Sequence, residues 1–387
     1  MLRSVLALCG AGLLLAGRQA QAEVKSPPLS AGIPEIISRC VDGRDIAGQV
    51  ATCTLAVEAK VGSGNLQDLA RYSLALARGG SPPPRGIPDP ILRCLYTFDV
   101  EGRLASCTRA IDSQAGSAEL RALAHHARAL AHCLDRHPER SVVDESKAIA
   151  LVPNFPEAYA HRAICKQALG DLNGARADQE GAIRLAPDVP GYYREAAMLA
   201  NLVGDHDAAL KHLDYGIRRW PQFNELIDLR AKTLFNLGRY DEAAEAFVQT
   251  VKAFPGDAPP VLWLHLARLH AGQADAAEFA ANTANLDLSG WMKPMFDYYR
   301  GRTDYGPALQ ASRSSDDARA ECMAHLFIAE HMLAKKDETA AMFFGGAVST
   351  CDPGAAPTSA MAAWAELKKI SPDLKGKGWS RPSTLSR

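Results

Sequence analysis

The chain has 387 residues, of which 47% are hydrophobic and 22% charged, and its formal net charge is −1. This balance is typical of a globular protein, and it excludes a disordered chain and gives no electrostatic attraction to nucleic acid. The length could hold two or three ordinary domains. An array of short repeats would need no such division, because each repeat packs only on its neighbours.

The N-terminal segment, residues 1–22, has the features of a secretory signal peptide. A basic residue precedes an apolar run at 5–16, and residues 20–22 form a small-x-small cleavage site. The run is shorter than the roughly 20 residues that span a bilayer, and a leucine precedes its cysteine where lipoprotein signals have a small residue. We predict cleavage between Ala22 and Glu23, a periplasmic or secreted protein without a lipid anchor, and no integral membrane segment in the mature chain.

Two related helical units are predicted at residues 32–120. The sequence "GIPEIISRC" at 32–40 matches "GIPDPILRC" at 86–94, which defines a 54-residue repeat. Each unit would contain a short helix with one cysteine, a longer helix with a second cysteine, and an Ala/Leu-rich helix. The preceding residues, 23–31, are predicted to be a flexible lead.

A regular array with a constant period is predicted at residues 121–255. Three residue types recur with the same step, namely Gly170, Gly204 and Gly238, Ala175, Ala209 and Ala243, and Pro153, Pro187, Pro221 and Pro255. Glycine suits a tight turn between two helices, and proline ends a helix. The sequence thereby resembles the tetratricopeptide repeat (TPR), whose period is about 34 residues. The resemblance implies an all-α superhelical solenoid of helical hairpins, a fold that serves as a binding scaffold.

The C-terminal third, residues 256–370, has a looser helical pattern. The segments "LWLHLA", "MKPMFDYYRGR", "AHLFIAEHMLAKKDETAAMFFGGAV" and "AAWAEL" occur in this order. They resemble the C-terminal part of the TPR lipoproteins called NlpI, although the lipobox of that family is missing here. The resemblance implies a periplasmic adaptor that presents substrates to an envelope protease or organises peptidoglycan hydrolases, often as a homodimer. Residues 371–387 are predicted to be a disordered basic tail.

Eight cysteines follow the signal segment, and an even number in an exported chain indicates disulfides. Twelve residues separate the two cysteines in both copies of the 54-residue repeat, and the last pair brackets an antiparallel hairpin. A fourth pair would join first helices of adjacent repeats. The predicted pairs are Cys40 with Cys53, Cys94 with Cys107, Cys322 with Cys351, and Cys133 with Cys165. Buried free thiols are the alternative.

The sequence contains no pattern that predicts catalysis or a cofactor. HExxH, GxSxG, a P-loop and GxGxxG are all missing from it. His125, His126, His132 and His137 lie close together, but no two are four residues apart, so we expect them to pack or to be solvated. Paired C-x₂-C and H-x₃-H spacings of zinc sites are also missing. We therefore predict a protein that is not an enzyme, with no catalytic residue, metal or cofactor.

A recognition surface is predicted on the first helix of each hairpin, which lines the concave face in TPR arrays. In this register the candidate peptide-binding residues are His126, His161, Gln167, Arg194, Asn201, Asp228, Lys232, Phe235 and Asn236. Their mixed charges and amides suit an extended or helical peptide. The hypothesis is an adaptor for proteins or peptides of the cell envelope. The alternative is a structural protein that associates with itself and has no enzyme partner.

Overall fold

The computed structural model describes residues 53–54, 56–58, 64–77, 87–97, 99–284, 286–317 and 319–351, together with Ala363, Glu366, Leu367 and Lys369. Over these ranges the regular backbone is helical, without a strand. None of the helices in them combines the length and the apolar character needed to cross a membrane. The predicted signal segment with Ala22 and Glu23, the lead at 23–31, Cys40 and the tail at 371–387 lie outside the described residues.

The chain divides into two compact units, Leu2–Glu195 and Ala196–Arg387. The division falls within α8, so it does not coincide with the boundaries predicted from repeat regularity, which remain predictions. The helices are α1 Gly64–Ala77, α2 Asp89–Tyr96, α3 Val100–Asp112, α4 Ala118–Leu134, α5 Pro138–Leu151, α6 Pro156–Ala168, α7 Leu172–Leu185, α8 Pro190–Leu202, α9 His206–Arg219, α10 Asn224–Asn236, α11 Tyr240–Ala253, α12 Ala258–His270, α13 Ala276–Thr283, α14 Met292–Tyr299, α15 Gly306–Arg313, α16 Ala320–Ala334 and α17 Ala340–Thr350.

The helix boundaries follow the period predicted from the glycine, alanine and proline ladders. The first helices α6, α8, α10 and α12 begin at residues 156, 190, 224 and 258, and the second helices α5, α7, α9 and α11 begin at 138, 172, 206 and 240. Each predicted proline lies just beyond the end of a second helix, where it cannot disturb the helical hydrogen bonds. The prediction of an all-α fold built from TPR-like hairpins is confirmed.

One residue with a positive φ follows the first helix of each hairpin. The angle is 83° at Gly170, 82° at Gly204 and 76° at Gly238, and in an earlier hairpin Arg136 takes this conformation with a φ of 63°. The next amide closes the helix end, as when the Asp205 N–H donates to the Ala200 carbonyl at 2.9 Å. This is the Schellman arrangement, which satisfies carbonyls that have no partner within the helix.

The alanine ladder marks the closest packing of the second helices. Ala175, Ala209 and Ala243 have no solvent-accessible surface, and Ser141 occupies the same register position one repeat earlier with the same burial. A side chain larger than these would meet its neighbours, because protein interiors are close-packed. The ladder is therefore a packing requirement.

Two of the predicted cysteine pairs lie at disulfide-bonding distance. The Cα atoms of Cys94 and Cys107 are 4.3 Å apart, and those of Cys322 and Cys351 are 4.6 Å apart. The prediction that Cys133 pairs with Cys165 is wrong. Their Sγ atoms are 3.9 Å apart, Cys165 is a free buried thiol that lies 3.2 Å from Ser141 Oγ, and Cys133 takes part in a different disulfide.

Replacement of Gly204 by alanine should lower the free energy of unfolding by about 1 kcal/mol, because a Cβ disfavours the left-handed conformation. No atom lies within 4 Å of the position of the new Cβ, so backbone strain alone is tested. Urea unfolding followed by circular dichroism measures the change. Gly191→Ala is the matched control, since its Cβ also meets open space but within α8. It should be neutral or slightly stabilising, and equal losses in both variants would contradict the prediction.

Candidate functional site

The predicted recognition residues divide into a partly exposed set and a buried set. Gln167, Arg194, Asp228, Lys232 and Asn236 keep part of their surface accessible. The exposed fraction is only 8% for His126, 3% for His161, 6% for Asn201 and 4% for Phe235. The prediction that these four side chains form an open surface is therefore wrong.

Contacts with neighbouring helices account for the buried set. Phe235 packs edge-on against Trp263, with ring centroids 5.1 Å apart. Asn201 Nδ2 donates a hydrogen bond to Thr233 Oγ1 at 2.8 Å. His126 and His161 both contact Glu145, as described below. In each case the side chain is occupied in joining helices, so it is not available to a partner.

A polar stripe on α10 remains accessible in the C-terminal unit. We define the α10 stripe as Glu225, Asp228, Lys232 and Asn236, which are spaced by three or four residues and so lie on one face of the helix. Lys232 Nζ donates to Asp228 Oδ2 at 2.6 Å, with side chains 40% and 24% exposed. Glu225 Oε2 and Asp228 Oδ1 have no hydrogen-bond partner among the described residues. Both oxygens are enclosed by protein atoms, so the accessible part of the stripe is the Lys232–Asp228 pair together with the Asn236 amide.

Arg194 is a weaker recognition residue than its sequence position predicts. Its guanidinium pairs with the neighbouring Glu195, and its side chain is only 12% exposed. Charge reversal there would place two carboxylates together in a largely buried position, at a cost in stability.

A buried cluster of two histidines and one glutamate lies in the N-terminal unit. We define the His–Glu–His cluster as His126 on α4, Glu145 on α5 and His161 on α6. Glu145 Oε1 lies 2.9 Å from His126 Nδ1 and 2.6 Å from His161 Nδ1, and Glu145 itself is fully buried. Burial raises the pKa of Glu145 to about 7, against the opposing effect of the hydrogen bond from His161.

The adjacent carboxylate, Asp144, has a different environment. His125 Nδ1 lies 2.9 Å from Asp144 Oδ1, and Arg128 binds both carboxylate oxygens at 2.8 Å. Burial would raise the pKa of Asp144, but the bonds from His125 and Arg128 outweigh it and lower the pKa to about 2. Arg162 and Asp178 form the same bidentate pair in the next repeat, at 2.6 and 2.8 Å. Asp144 is thus bonded to His125 and, through both of its oxygens, to Arg128, which makes its role structural.

The free thiol of Cys165 is close to the cluster but not reactive. Burial raises the pKa of Cys165 to about 12. A thiol of this kind carries almost no thiolate at neutral pH, so it is a poor nucleophile.

A second group of buried histidines lies in the C-terminal unit. His265 Nδ1 is 2.6 Å from Asp275 Oδ2, and His270 Nε2 is 3.1 Å from Glu330 Oε2. His331 instead stacks on Tyr299, with ring centroids 4.5 Å apart. Burial, reinforced by nearby Lys335 and the other two histidines, lowers the pKa of His331 to about 3. These histidines pack in the core of the C-terminal unit.

No family model matches the sequence, and no curated protein matches it significantly. Among solved structures, a TPR protein from Parabacteroides merdae ATCC 43184 is 12% identical, with 69% of this chain and 93% of that chain covered and a TM-score of 0.46. YrrB, described as a TPR protein with an unusual peptide-binding site, is 18% identical, with 54% of this chain and 97% of that chain covered and a TM-score of 0.41. Yeast Tom70 is 14% identical, with 95% of this chain and 70% of that chain covered and a TM-score of 0.41.

These likenesses are low in identity and in TM-score, so the recurrence of the helices within the chain itself defines the architecture as TPR-like. The closer resemblance of the C-terminal third to NlpI remains a prediction. Sequence reasoning missed the His–Glu–His cluster and the acceptor Glu225. The register position of Glu225, on the same face as Asp228, could have identified the latter.

His331 should make the protein less stable below neutral pH. The unfolded histidine titrates near pH 6.5, so between pH 6.5 and about 3 the unfolded state binds the extra proton and stability falls with falling pH. In the wild type, the free energy of unfolding should be lower at pH 5 than at pH 8, and His331→Phe should reduce this difference by about 2 kcal/mol. Phenylalanine is chosen because it keeps the aromatic stack. Urea unfolding at both pH values measures it. His137→Gln, at a side chain 41% exposed, is the control, and equal behaviour of both variants would contradict the assignment.

Proposed function

We propose that the chain is an exported, non-enzymatic scaffold that binds proteins of the cell envelope. In this role it would present substrates or enzymes to a periplasmic protease or a peptidoglycan hydrolase. The signal-peptide pattern and the resemblance of residues 256–370 to NlpI support the location and the class of partner. TPR-like hairpins support the binding role, because stacked repeats expose long faces for recognition.

The α10 stripe is the observation that carries this proposal. Its charged side chains stay partly exposed, with Lys232 at 40% and Asp228 at 24%, so a partner can contact them. A peptide offers backbone N–H and C=O groups and charged side chains to such a surface. Asn236 adds an amide that can donate and accept. The stripe therefore fits a peptide segment that offers both donors and acceptors.

Charge reversal by Lys232→Glu should weaken partner capture about tenfold or more, which corresponds to about 1.4 kcal/mol. The change removes the cation of the stripe, which can donate to acceptors of a bound peptide, and places a third carboxylate there, which repels acidic side chains. The mature protein serves as bait in a crosslinked pull-down from periplasmic and envelope extract, and mass spectrometry quantifies the retained proteins. Lys211→Glu is the control, because it makes the same charge change at an exposed position on α9.

Recovery of a protease or hydrolase that is lost with Lys232→Glu and kept with Lys211→Glu would support the adaptor role. Equal recovery with both variants would show that the α10 stripe is the wrong surface. Recovery of the chain alone would favour the alternative, a structural protein that associates with itself.

Export would place the two close cysteine pairs in an oxidising compartment. Non-reducing peptide mapping of the mature protein should then yield linked peptides for Cys94 with Cys107 and for Cys322 with Cys351. Reduction should destabilise the protein by about 3 kcal/mol for each of these two loops, measured as a lower unfolding temperature. Cys165 is the internal control, since it should be alkylated only after unfolding. Free alkylation of all four paired cysteines in the native, unreduced protein would contradict the prediction.

A further inference from the structure

The His–Glu–His cluster is unusual in its position and its donor atoms. His126, Glu145 and His161 come from three consecutive helices, and their exposed fractions are 8%, 0% and 3%. One ligand atom of each, a ring nitrogen or a carboxylate oxygen, lies within 4.8 Å of the other two. Three potential metal ligands therefore converge at one point in the interior of the N-terminal unit.

The repeat register shows that the position of Glu145 is normally a core position. The equivalent residues one, two and three repeats later are Gln179, Leu213 and Phe247, with exposed fractions of 2%, 0% and 0%. A carboxylate at such a site loses its hydration, which is costly without full compensation. Its oxygen Oε1 is contacted by the ring nitrogens of His126 and His161, at 2.9 and 2.6 Å. A bound cation would compensate the charge of the carboxylate.

We propose that His126, Glu145 and His161 form a binding site for a divalent transition-metal ion of the zinc class. Two imidazoles and one carboxylate are a donor set that proteins use for zinc, with the remaining position left for water or a small anion. Imidazole donors select zinc, copper, nickel or iron over magnesium and calcium. The site goes beyond the scaffold function proposed above and does not depend on it.

The geometry needs only a small adjustment for the ion to enter. Donor atoms around a tetrahedral ion with bonds near 2.0 Å are about 3.3 Å apart, whereas Glu145 Oε1 lies 2.6 and 2.9 Å from the two Nδ1 atoms. Each histidine binds through Nδ1 when it carries its proton on Nε2. The ion then replaces the two hydrogen bonds to Glu145 and joins α4, α5 and α6.

The neighbouring cysteines form a less suitable set. Cys133, His161 and Cys165 also bring three potential ligand atoms within 4.8 Å of one another. Cys133, however, is disulfide-bonded and offers no thiolate, and thiolate is the form of cysteine that binds metal. The ion is therefore assigned to the two histidines and Glu145.

Metal binding can be measured on the mature, full-length chain produced without a histidine tag. Equilibrium dialysis with Zn²⁺ gives the stoichiometry and the dissociation constant, and Co²⁺ gives a visible absorption band when its donors are nitrogen and oxygen of a protein site. We expect one ion per chain and a higher unfolding temperature in its presence.

The variants Glu145→Gln and His126→Ala are chosen to keep the fold. Gln179 and Ala160 occupy the equivalent positions of the next repeat, so both substitutions place a residue that a TPR-like hairpin of this chain already accepts. Each should weaken Zn²⁺ binding on the order of 100-fold and abolish the thermal shift. His265→Gln is the control, because it removes a buried histidine of the C-terminal unit that faces a single carboxylate, Asp275, at 2.6 Å.

The result that supports the site is loss of binding in both cluster variants with retention in the control. A wild-type chain that shows no saturable Zn²⁺ or Co²⁺ binding would overturn the proposal by itself, whatever the stability of the variants. Equal binding by the wild type, Glu145→Gln and His126→Ala would also overturn it, since the ion would then occupy other groups.

Discussion

The left-handed residue that follows each first helix is the constraint on which the rest of the structure depends. At Gly204 it turns the chain within two residues, and the Asp205 N–H closes the end of α8. The second helix then starts at a fixed offset from the first, and a small residue such as Ala209 meets the neighbouring helices without any exposed surface. A different turn length would rotate every later side chain away from its packing partner.

This constraint acts on the backbone, and it leaves the chemistry of the other core positions open. The position that holds Phe247 in one repeat holds Glu145 in another, and both are fully buried. The same turn also tolerates Arg136, although an L-residue with a side chain is disfavoured there. Packing of the hairpin therefore fixes where a side chain lies. Whether a polar group is tolerated there depends on the hydrogen-bonding groups of the surrounding side chains.

The sequence could predict the features that depend on one residue or one helix. The turns at Gly170 and Gly238, the prolines beyond the second helices and the alanine ladder follow from local backbone preferences, so their period identified the hairpins. The His–Glu–His cluster was missed because its three residues come from three helices. Tests of ligand spacing examine positions within one helix, and His126, Glu145 and His161 become neighbours only when the hairpins pack.

The predicted recognition surface was half wrong for a related physical reason. A register position gives the direction of a side chain from its own helix, but burial depends on the size of the side chains on the adjoining helices. Phe235 is covered because Trp263 reaches it, whereas Lys232 on the same helix stays partly exposed. Periodicity of a single sequence does not contain this information.

Residues that differ in character from their equivalents in the other repeats are the most informative about function in this chain. Asp228 and Lys232 on α10 have Leu262 and Leu266 as their counterparts on α12, and both leucines are fully buried. Helix α10 thus keeps a charged stripe at positions where the next first helix contributes to the core. Glu145 shows the opposite departure, because it is an acidic residue at a position where another repeat has the fully buried Phe247. A hairpin needs neither feature to fold, and each lowers the apolar area that it buries. These are the two places to which the proposals above assign binding, of a peptide at the first and of an ion at the second.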